Sequence, residues 1–290
     1  DLVGEPILIT RNKDNELSAM YNICPHRGTI VEQNETGNKK IFQCMYHGWT
    51  FHLDGKLNRA PNFPENEVGD RTCLKPIQLE VFQQLIFVNL DPTAAPLSFN
   101  YDELMEELNH YSFLSSLKLV KSDQRIIHAN WKAIVDNYLE CDHCKINHPS
   151  FSKTFDMNDY HIDPFKNFTR QYSELKKQDS EKQAYFYWIW PNLMLSIYPQ
   201  GFGNMTTSQI IPITPEKSLA IYNYYFISDD ISEEQQELMT FVDQVRDEDI
   251  ELVELLQTGF QTQAFDSGIY SPRENGLHYF HQRIRDEIPI

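Results

Sequence analysis

Over the first ninety or so residues, apolar positions come in short runs. They fall at residues 6–10, 41–44, 77–81 and 85–90, and turn-forming tracts such as Asn12-Lys13-Asp14-Asn15, Asp54-Gly55 and Asp91-Pro92 separate them. Runs this short, bounded by Gly, Pro, Asn and Asp, predict strands rather than helices. Phe51-His52-Leu53-Asp54-Gly55-Lys56-Leu57 reads as a hairpin, because Asp-Gly accepts the positive φ of a tight turn. An all-β domain is therefore expected over residues 1–94, with the proline-flanked tract 92–96 at its boundary.

Beyond it the pattern is mixed. Residues 101–110 and 130–144 have helical spacing, whereas 184–198 and 218–227 are aromatic-rich and strand-like. Ser232-Glu233-Glu234-Gln235 has the form of a capping box and opens a helix expected to run to about residue 263. Leu238, Phe241, Val242, Val245, Leu252, Val253, Leu256 and Phe260 make one apolar stripe along it. Strands preceding a long C-terminal helix predict an α+β chain. Its second domain, residues 95–290, is expected to wrap an antiparallel sheet over that helix. No internal repeat or low-complexity tract is seen.

Composition narrows the function classes. No run approaches the roughly 18 apolar residues of a membrane span, and no signal peptide is read at the start. The chain opens at Asp1 just ahead of the first strand, which leaves the true N-terminus open. A formal net charge of −17 argues against nucleic acid, which is held by clustered Lys and Arg. Five Cys do not make a secreted disulfide framework. A reducing cytoplasm is the expected compartment.

Four residues carry most of the chemistry. Cys24-Pro25-His26-Arg27-Gly28 and Cys44-Met45-Tyr46-His47-Gly48-Trp49 give C-x-H, a gap of 17 residues, then C-x-x-H. Two thiolates and two imidazoles in this order fit a Rieske [2Fe–2S] centre, where two His replace two Cys on one iron. Tetrahedral Cys2His2 zinc is the competing reading, but zinc fingers group like ligands, and here each arm carries one of each.

A cluster only moves electrons, so a site that receives them is sought. His143 and His148 are five apart, about 140° on an ideal helix, so both can meet one metal only if the helix breaks between them. Pro149 favours a break. Two His and a carboxylate on one face make the facial triad of non-haem Fe(II) oxygenases. Asp249 lies on the apolar stripe, four after Val245 and three before Leu252, where a lone acid is costly unless it is paired or metal-bound. It is the expected third ligand. Asp247, Glu248 and Glu251 read as solvated. Glu140, three before His143, is placed on the same helical face, able to accept that ring's free N–H or to bridge the two centres. Asp136 and Asn137, leading into the segment, complete the catalytic set. Cys141 and Cys144 read as small packing groups beside the iron, with a zinc or redox site shared with His148 as the alternative.

These motifs make the chain resemble the oxygenase (α) component of Rieske non-haem iron oxygenases along nearly its whole length. The resemblance implies cluster ligands at Cys24, His26, Cys44 and His47, iron ligands at His143, His148 and Asp249, and the bridging carboxylate at Glu140. Most members have Asp at the bridge. Glu resembles the branch that oxidises quaternary ammonium compounds: choline, carnitine and betaine monooxygenases. Trp190-Pro191-Asn192, Val245-Arg246-Asp247-Glu248-Asp249 and Gly276-Leu277-His278-Tyr279-Phe280-His281 are further matches to it. The family implies a homotrimer, in which one chain's cluster faces its neighbour's iron, and a flavin-containing reductase fed by NAD(P)H. The sequence does not show whether loops of the family are absent; residues 175–182 are the tract where one would be looked for.

A trimethylammonium group has no N–H to donate and is held by aromatic faces. Tyr185-Phe186-Tyr187-Trp188-Ile189-Trp190, with Tyr198 and Phe202, supplies such faces, and Trp188 and Tyr198 are chosen as substrate contacts. The expected function is a terminal oxygenase for a small quaternary amine. Two alternatives remain at this level: an aromatic-ring hydroxylase, and a Rieske electron-transfer protein with no oxygenase centre.

Overall fold

In the computed structural model, which describes residues 4–176, 183–199 and 203–288, the chain divides into two units, Asp1–Phe99 and Asn100–Ile290. Of the sequence expectations, Phe202 and all of the tract 175–182 after residue 176 lie outside the described residues.

The first unit is built of strands. β1 (Ile7–Arg11), β2 (Leu17–Tyr21), β6 (Pro76–Phe82) and β7 (Leu85–Asn89) form one antiparallel sheet in that order. β3 (Phe42–Gln43), β4 (Thr50–Phe51) and β5 (Leu57–Arg59) form a second. Asp54-Gly55 closes the turn between β4 and β5, with Gly55 at φ 83°. Met20, Phe42, Trp49, Phe51 and Leu74 pack into one core together with Cys24 and Cys44.

In the second unit, seven antiparallel strands stand in the order β8-β14-β13-β12-β11-β10-β9. They are β8 (Lys118–Ile127), β9 (His161–Pro164), β10 (Phe168–Glu174), β11 (Gln183–Ile189), β12 (Leu193–Ile197), β13 (Asn204–Thr214) and β14 (Lys217–Phe226). Helix α1 (Leu97–Asn109) begins three residues before this unit, and α2 (Trp131–Tyr138), α3 (Cys144–Asn147), α4 (Pro149–Thr154), α5 (Glu233–Phe260) and α6 (Asn275–Glu287) lie within it. α1 starts earlier than expected and leaves helical geometry at Tyr101 (φ −138°, ψ 28°).

The sheet wraps over α5. Alternate residues of β14 face inward, and Tyr224 and Phe226 pack on Leu238, Met239 and Val242. Full burial of a side chain such as Phe or Leu is worth about 1.5–3 kcal/mol. Farther along α5, Val253 meets Ile134 and Val135 of α2 and Leu277 and Phe280 of α6. The capping box forms: Gln235 N–H donates to Ser232 Oγ at 3.2 Å, and Ser232 N–H donates to Gln235 Oε1 at 3.1 Å.

The expected stripe holds only to Val253. Leu256 and Phe260 are exposed, and Gln257 is buried instead. Polar contacts explain the change. Gln257 Oε1 accepts the Asn130 N–H at 2.8 Å, and Glu254 accepts the His128 N–H at 2.9 Å. The last turns of α5 thus hold the link into α2 by hydrogen bonds, not by apolar packing.

Candidate metal centres

Cys24 and Cys44 each begin a loop of the same construction. The Cys N–H donates to the carbonyl five residues on (Thr29 at 2.8 Å, Trp49 at 2.8 Å), and the glycine four residues on donates back to the Cys carbonyl (2.9 and 3.0 Å). Both glycines, Gly28 and Gly48, sit at φ 73°, a region closed to most side chains. The result is two buried sulfurs beneath two exposed imidazoles. The His26 and His47 ring centroids are 4.5 Å apart, and His26 stacks on Trp49 at 4.9 Å. Burial, with Cys44 adding to it, pushes the Cys24 thiol up to about 11. Two buried sulfurs so close beneath two imidazoles suit metal ligation.

The second constellation lies where α2, the α3–α4 junction and α5 meet. Helical geometry stops at Leu139, resumes at Cys144 and stops again at His148 (φ −117°, ψ 73°), with Pro149 opening α4. The break lets both imidazoles turn to one point. His148 Nε2 is 2.9 Å from Asp249 Oδ1, His143 Nε2 is 3.4 Å from the same oxygen, and the two Nε2 atoms are 3.2 Å apart. Three cis ligands about 2.1 Å from one metal stand about 3.0 Å apart, so this triangle has the size of one octahedral face.

The other ring nitrogens are committed. His143 Nδ1 meets the Glu140 carboxylate, and His148 Nδ1 lies 2.7 Å from Glu248 Oε2. An Nδ1–H held by a carboxylate leaves the Nε2 lone pair free. Two such lone pairs and a carboxylate oxygen facing one another require a cation between them. Without a metal, a proton takes that place. Burial alone lowers the His143 value, but Asp249 and Glu140 outweigh it and hold the imidazole up at about 9. Burial would raise Asp249, but hydrogen bonds from His143 and His148 keep it below the usual carboxylate value. Metal loading therefore displaces protons, and affinity falls as pH falls.

Several expectations need correction here. Glu140 reaches His143 across a turn, not along a helix: its carboxylate also accepts the Asp142 N–H at 2.6 Å. Glu248 is not a solvated charge but the partner of His148, its second oxygen accepting from Gln244 at 2.9 Å. Cys141 and Cys144 form a disulfide with each other, which removes the thiolates that a shared zinc site needs. Asp136 turns from the cavity to His281 Nε2, at 2.9 Å, while Asn137 stays beside His143 Nε2, at 3.5 Å. Trp188 is wholly buried, donates to the Pro191 carbonyl at 3.1 Å and packs on Phe280, so it is a core residue and no substrate contact.

The imidazoles and Asp249 border a cavity of about 120 Å³, small beside the roughly 300–1,000 Å³ of drug-sized sites. Tyr138, Tyr160, Tyr198, Tyr222, Phe151 and Phe186 line it, as does the Cys141–Cys144 pair. Arg246 also lines it. The sequence names this residue only within the match Val245-Arg246-Asp247-Glu248-Asp249 and gives it no role of its own, although it is four after Val242 and three before Asp249 and so on the buried face.

Residues 1–82 match the Rieske [2Fe-2S] domain, and residues 114–289 match the ring hydroxylating alpha subunit (catalytic domain). The chain belongs to the Rieske oxygenase α-subunit family. The oxygenase is 33% identical over 304 residues to the carnitine monooxygenase oxygenase subunit of Escherichia coli (strain K12), an alignment covering 98% of this chain and 81% of that one. It is 28% identical to the chloroplastic choline monooxygenase of Atriplex hortensis, over 94% of this chain and 65% of that protein. The crystal structure of the quaternary ammonium Rieske monooxygenase CntA in complex with L-carnitine matches with a TM-score of 0.84 and 32% identity, over 99% of this chain and 82% of that one. The oxygenase is thus an oxidoreductase of the Rieske monooxygenase type, with a Rieske cluster in its first domain and a mononuclear iron in its second. Its α+β architecture is that of the family. Among the described residues, no helix is long and apolar enough to cross a membrane.

Proposed function

We propose that this chain is the terminal monooxygenase for a small quaternary ammonium compound, with Cys24, His26, Cys44 and His47 holding the cluster and His143, His148 and Asp249 holding iron. The observation that carries the reading is the triangle of His143, His148 and Asp249 donors at the wall of an aromatic cavity. When bound, the cluster supplies single electrons and the mononuclear iron supplies O2 activation. The chain's own residues do the rest. Glu140 and Glu248 fix the two imidazoles by their Nδ1–H groups. Phe186 stands 5.8 Å from Phe151 and 5.5 Å from Tyr198 between ring centroids, so aromatic faces crowd the space beside the triad. A trimethylammonium group suits such faces, and their apolar bulk keeps bulk water out. Insertion of one oxygen atom of O2 into a C–H bond next to nitrogen, with two electrons from NAD(P)H and two protons taking the other atom to water, would give a hemiaminal whose C–N bond then breaks to an aldehyde and a tertiary amine; attack at a carbon not bonded to nitrogen would instead give a carbinol.

The likeness to carnitine and choline monooxygenases supports the substrate class. The same reading includes division into domains 1–94 and 95–290, a homotrimer in the cytoplasm, and a flavin-containing reductase fed by NAD(P)H. The test is NAD(P)H-coupled O2 uptake, with such a reductase, against a panel of quaternary amines and aromatics. Uptake matched by product is expected with a quaternary amine. Product from aromatic rings alone overturns the substrate class.

Glu140 is assigned to the electron path between a cluster and a neighbouring subunit's iron. Glu140→Gln keeps the length and one acceptor oxygen but loses the charge. It is expected to preserve both metal centres and reduction of the cluster by the reductase. Reoxidation of the cluster in a single turnover with substrate and O2 is expected to slow by about 10-fold or more, the usual scale for loss of a ligand's carboxylate partner. A wild-type rate in the variant makes Glu140 a positioning group for His143 and nothing more.

A further inference from the structure

The Cys141–Cys144 disulfide brackets His143. Both cysteines border the same cavity as His143, His148 and Asp249. Both are buried, whereas Asp142, Lys145 and Ile146 around them are exposed. Cys144 Sγ lies 3.8 Å from His143 Nε2, the nitrogen that faces the triad. That sulfur and one ring nitrogen from each of His143 and His148 fall within 4.8 Å of one another. In tetrahedral zinc sites, bonds of about 2.3 Å to sulfur and about 2.0 Å to nitrogen set the two donors about 3.5 Å apart. The bond to Cys141 withholds the sulfur from such a role. The backbone does not depend on that bond. Cys144 N–H donates to the Cys141 carbonyl at 3.2 Å, and the Cys144 carbonyl accepts from the His148 N–H at 3.0 Å and from Ser152 Oγ at 2.7 Å. Breaking the S–S bond therefore leaves Cys144 beside His143.

We infer that the oxidation state of this pair sets which metal the triad accepts. With the disulfide formed, the site offers two imidazoles and a carboxylate, a set that suits Fe(II). With the disulfide reduced, Cys144 Sγ joins His143 and His148, and the preference moves to zinc, because thiolate is a softer donor than carboxylate. Two equivalents of a thiol supply the two electrons and two protons that turn the S–S bond into two thiols, and they leave as their own disulfide. Zinc has no redox chemistry, so a zinc-loaded site cannot serve an oxygenase. Cytosolic disulfides are in general redox-sensing or catalytic and not structural. This inference rests on the reading of His143, His148 and Asp249 as a metal site.

The experiment is a metal competition on the cluster- and iron-loaded protein. The pair is poised with a disulfide-forming oxidant, or with a phosphine that is converted to its oxide by water as the disulfide opens. Each sample is equilibrated without O2 against equal Fe(II) and Zn(II), and free thiols, sulfide, iron and zinc per chain are counted. In the wild type, reduction is expected to free two thiols. It is also expected to raise the ratio of zinc to iron, beyond the iron of the cluster, by about 10-fold or more, the scale expected when a thiolate joins imidazole donors. Cys144→Ser is expected to keep the low ratio in both states. Cys141→Ser leaves the Cys144 sulfur free and is expected to show the high ratio in both. A role in packing or in bracing the loop would move the two variants alike, since each breaks the same disulfide. The visible spectrum of the cluster reports whether a variant is folded, and the wild-type comparison decides the question even if a variant is not. A wild-type ratio unchanged once both thiols are free overturns the inference and leaves the triad standing, as do equal ratios in the two folded variants or a pair that stays as thiols after oxidation. No metal beyond that of the cluster in either state overturns the triad and the inference together.

Discussion

His143→Ala is expected to reduce product formation to background while leaving the visible spectrum of the Rieske cluster unchanged. The imidazole supplies one of three donors around a point, and the Cys144 sulfur 3.8 Å from it is tied up in the disulfide with Cys141. Its Nε2 is within 3.5 Å of His148 Nε2, Asp249 Oδ1 and Asn137 Nδ2, and an amide nitrogen is no substitute ligand. The substitution also strands the Glu140 carboxylate that held Nδ1, so the remaining site carries an unpaired negative charge. The cluster loops belong to the other unit, with their own core around Phe42, Trp49 and Phe51, and should be indifferent to the change. Metal analysis and steady-state turnover check this. Mononuclear iron and turnover that both persist would remove His143 from the ligand set.

Asp249→Ala is expected to lose mononuclear iron, whereas Asp247→Ala and Glu251→Ala keep it. All three acids lie within five positions of one helix, so charge and location are nearly the same and helical phase is the only variable. Asp249 Oδ1 faces both imidazoles, Asp247 pairs with Arg125, and Glu251 is exposed. The contact of Glu248 with His148 adds a fourth member to the series. Glu248→Ala is expected to retain the ligands but bind iron about 10- to 100-fold more weakly, the usual effect of removing a ligand's carboxylate partner. Iron content after equilibration with a graded chelator gives the order Asp247 and Glu251 variants, then Glu248, then Asp249. Equal retention by all four would contradict the phase argument.

What the sequence revealed and what it hid follow from how local each signal is. The cluster loops were legible because ligand, Pro and Gly fall within five or six residues. The α5 register was legible from Leu238 to Val253 because apolar packing writes a periodic pattern. It failed at Leu256 and Phe260 because Gln257 and Glu254 bond the backbone near Asn130, a contact across 126 or more positions that leaves no local trace. β8 was missed for a related reason. β8 is an edge strand with much of its length exposed, so its polar residues erase the alternation that marks a half-buried strand. Glu248 was misread because a hydrogen bond to His148 needs no apolar neighbours. Arg246 was given no role of its own because a charged residue on a buried face looks like an interruption of the stripe, and only the folded chain shows it held between the Tyr222 and Tyr224 rings beside Asp243. Trp188 illustrates the opposite error: an aromatic strand offers many rings, and sequence alone does not say which side of the sheet holds the cavity.

The central claim is that one chain holds two separate iron centres, a cluster at Cys24, His26, Cys44 and His47 and a single iron at His143, His148 and Asp249. The most direct measurement is iron and acid-labile sulfide per chain, on the wild-type protein and on His143→Ala side by side. The account predicts about three iron and two sulfide in the wild type, and about two of each in the variant. Two iron per chain in both proteins would contradict it.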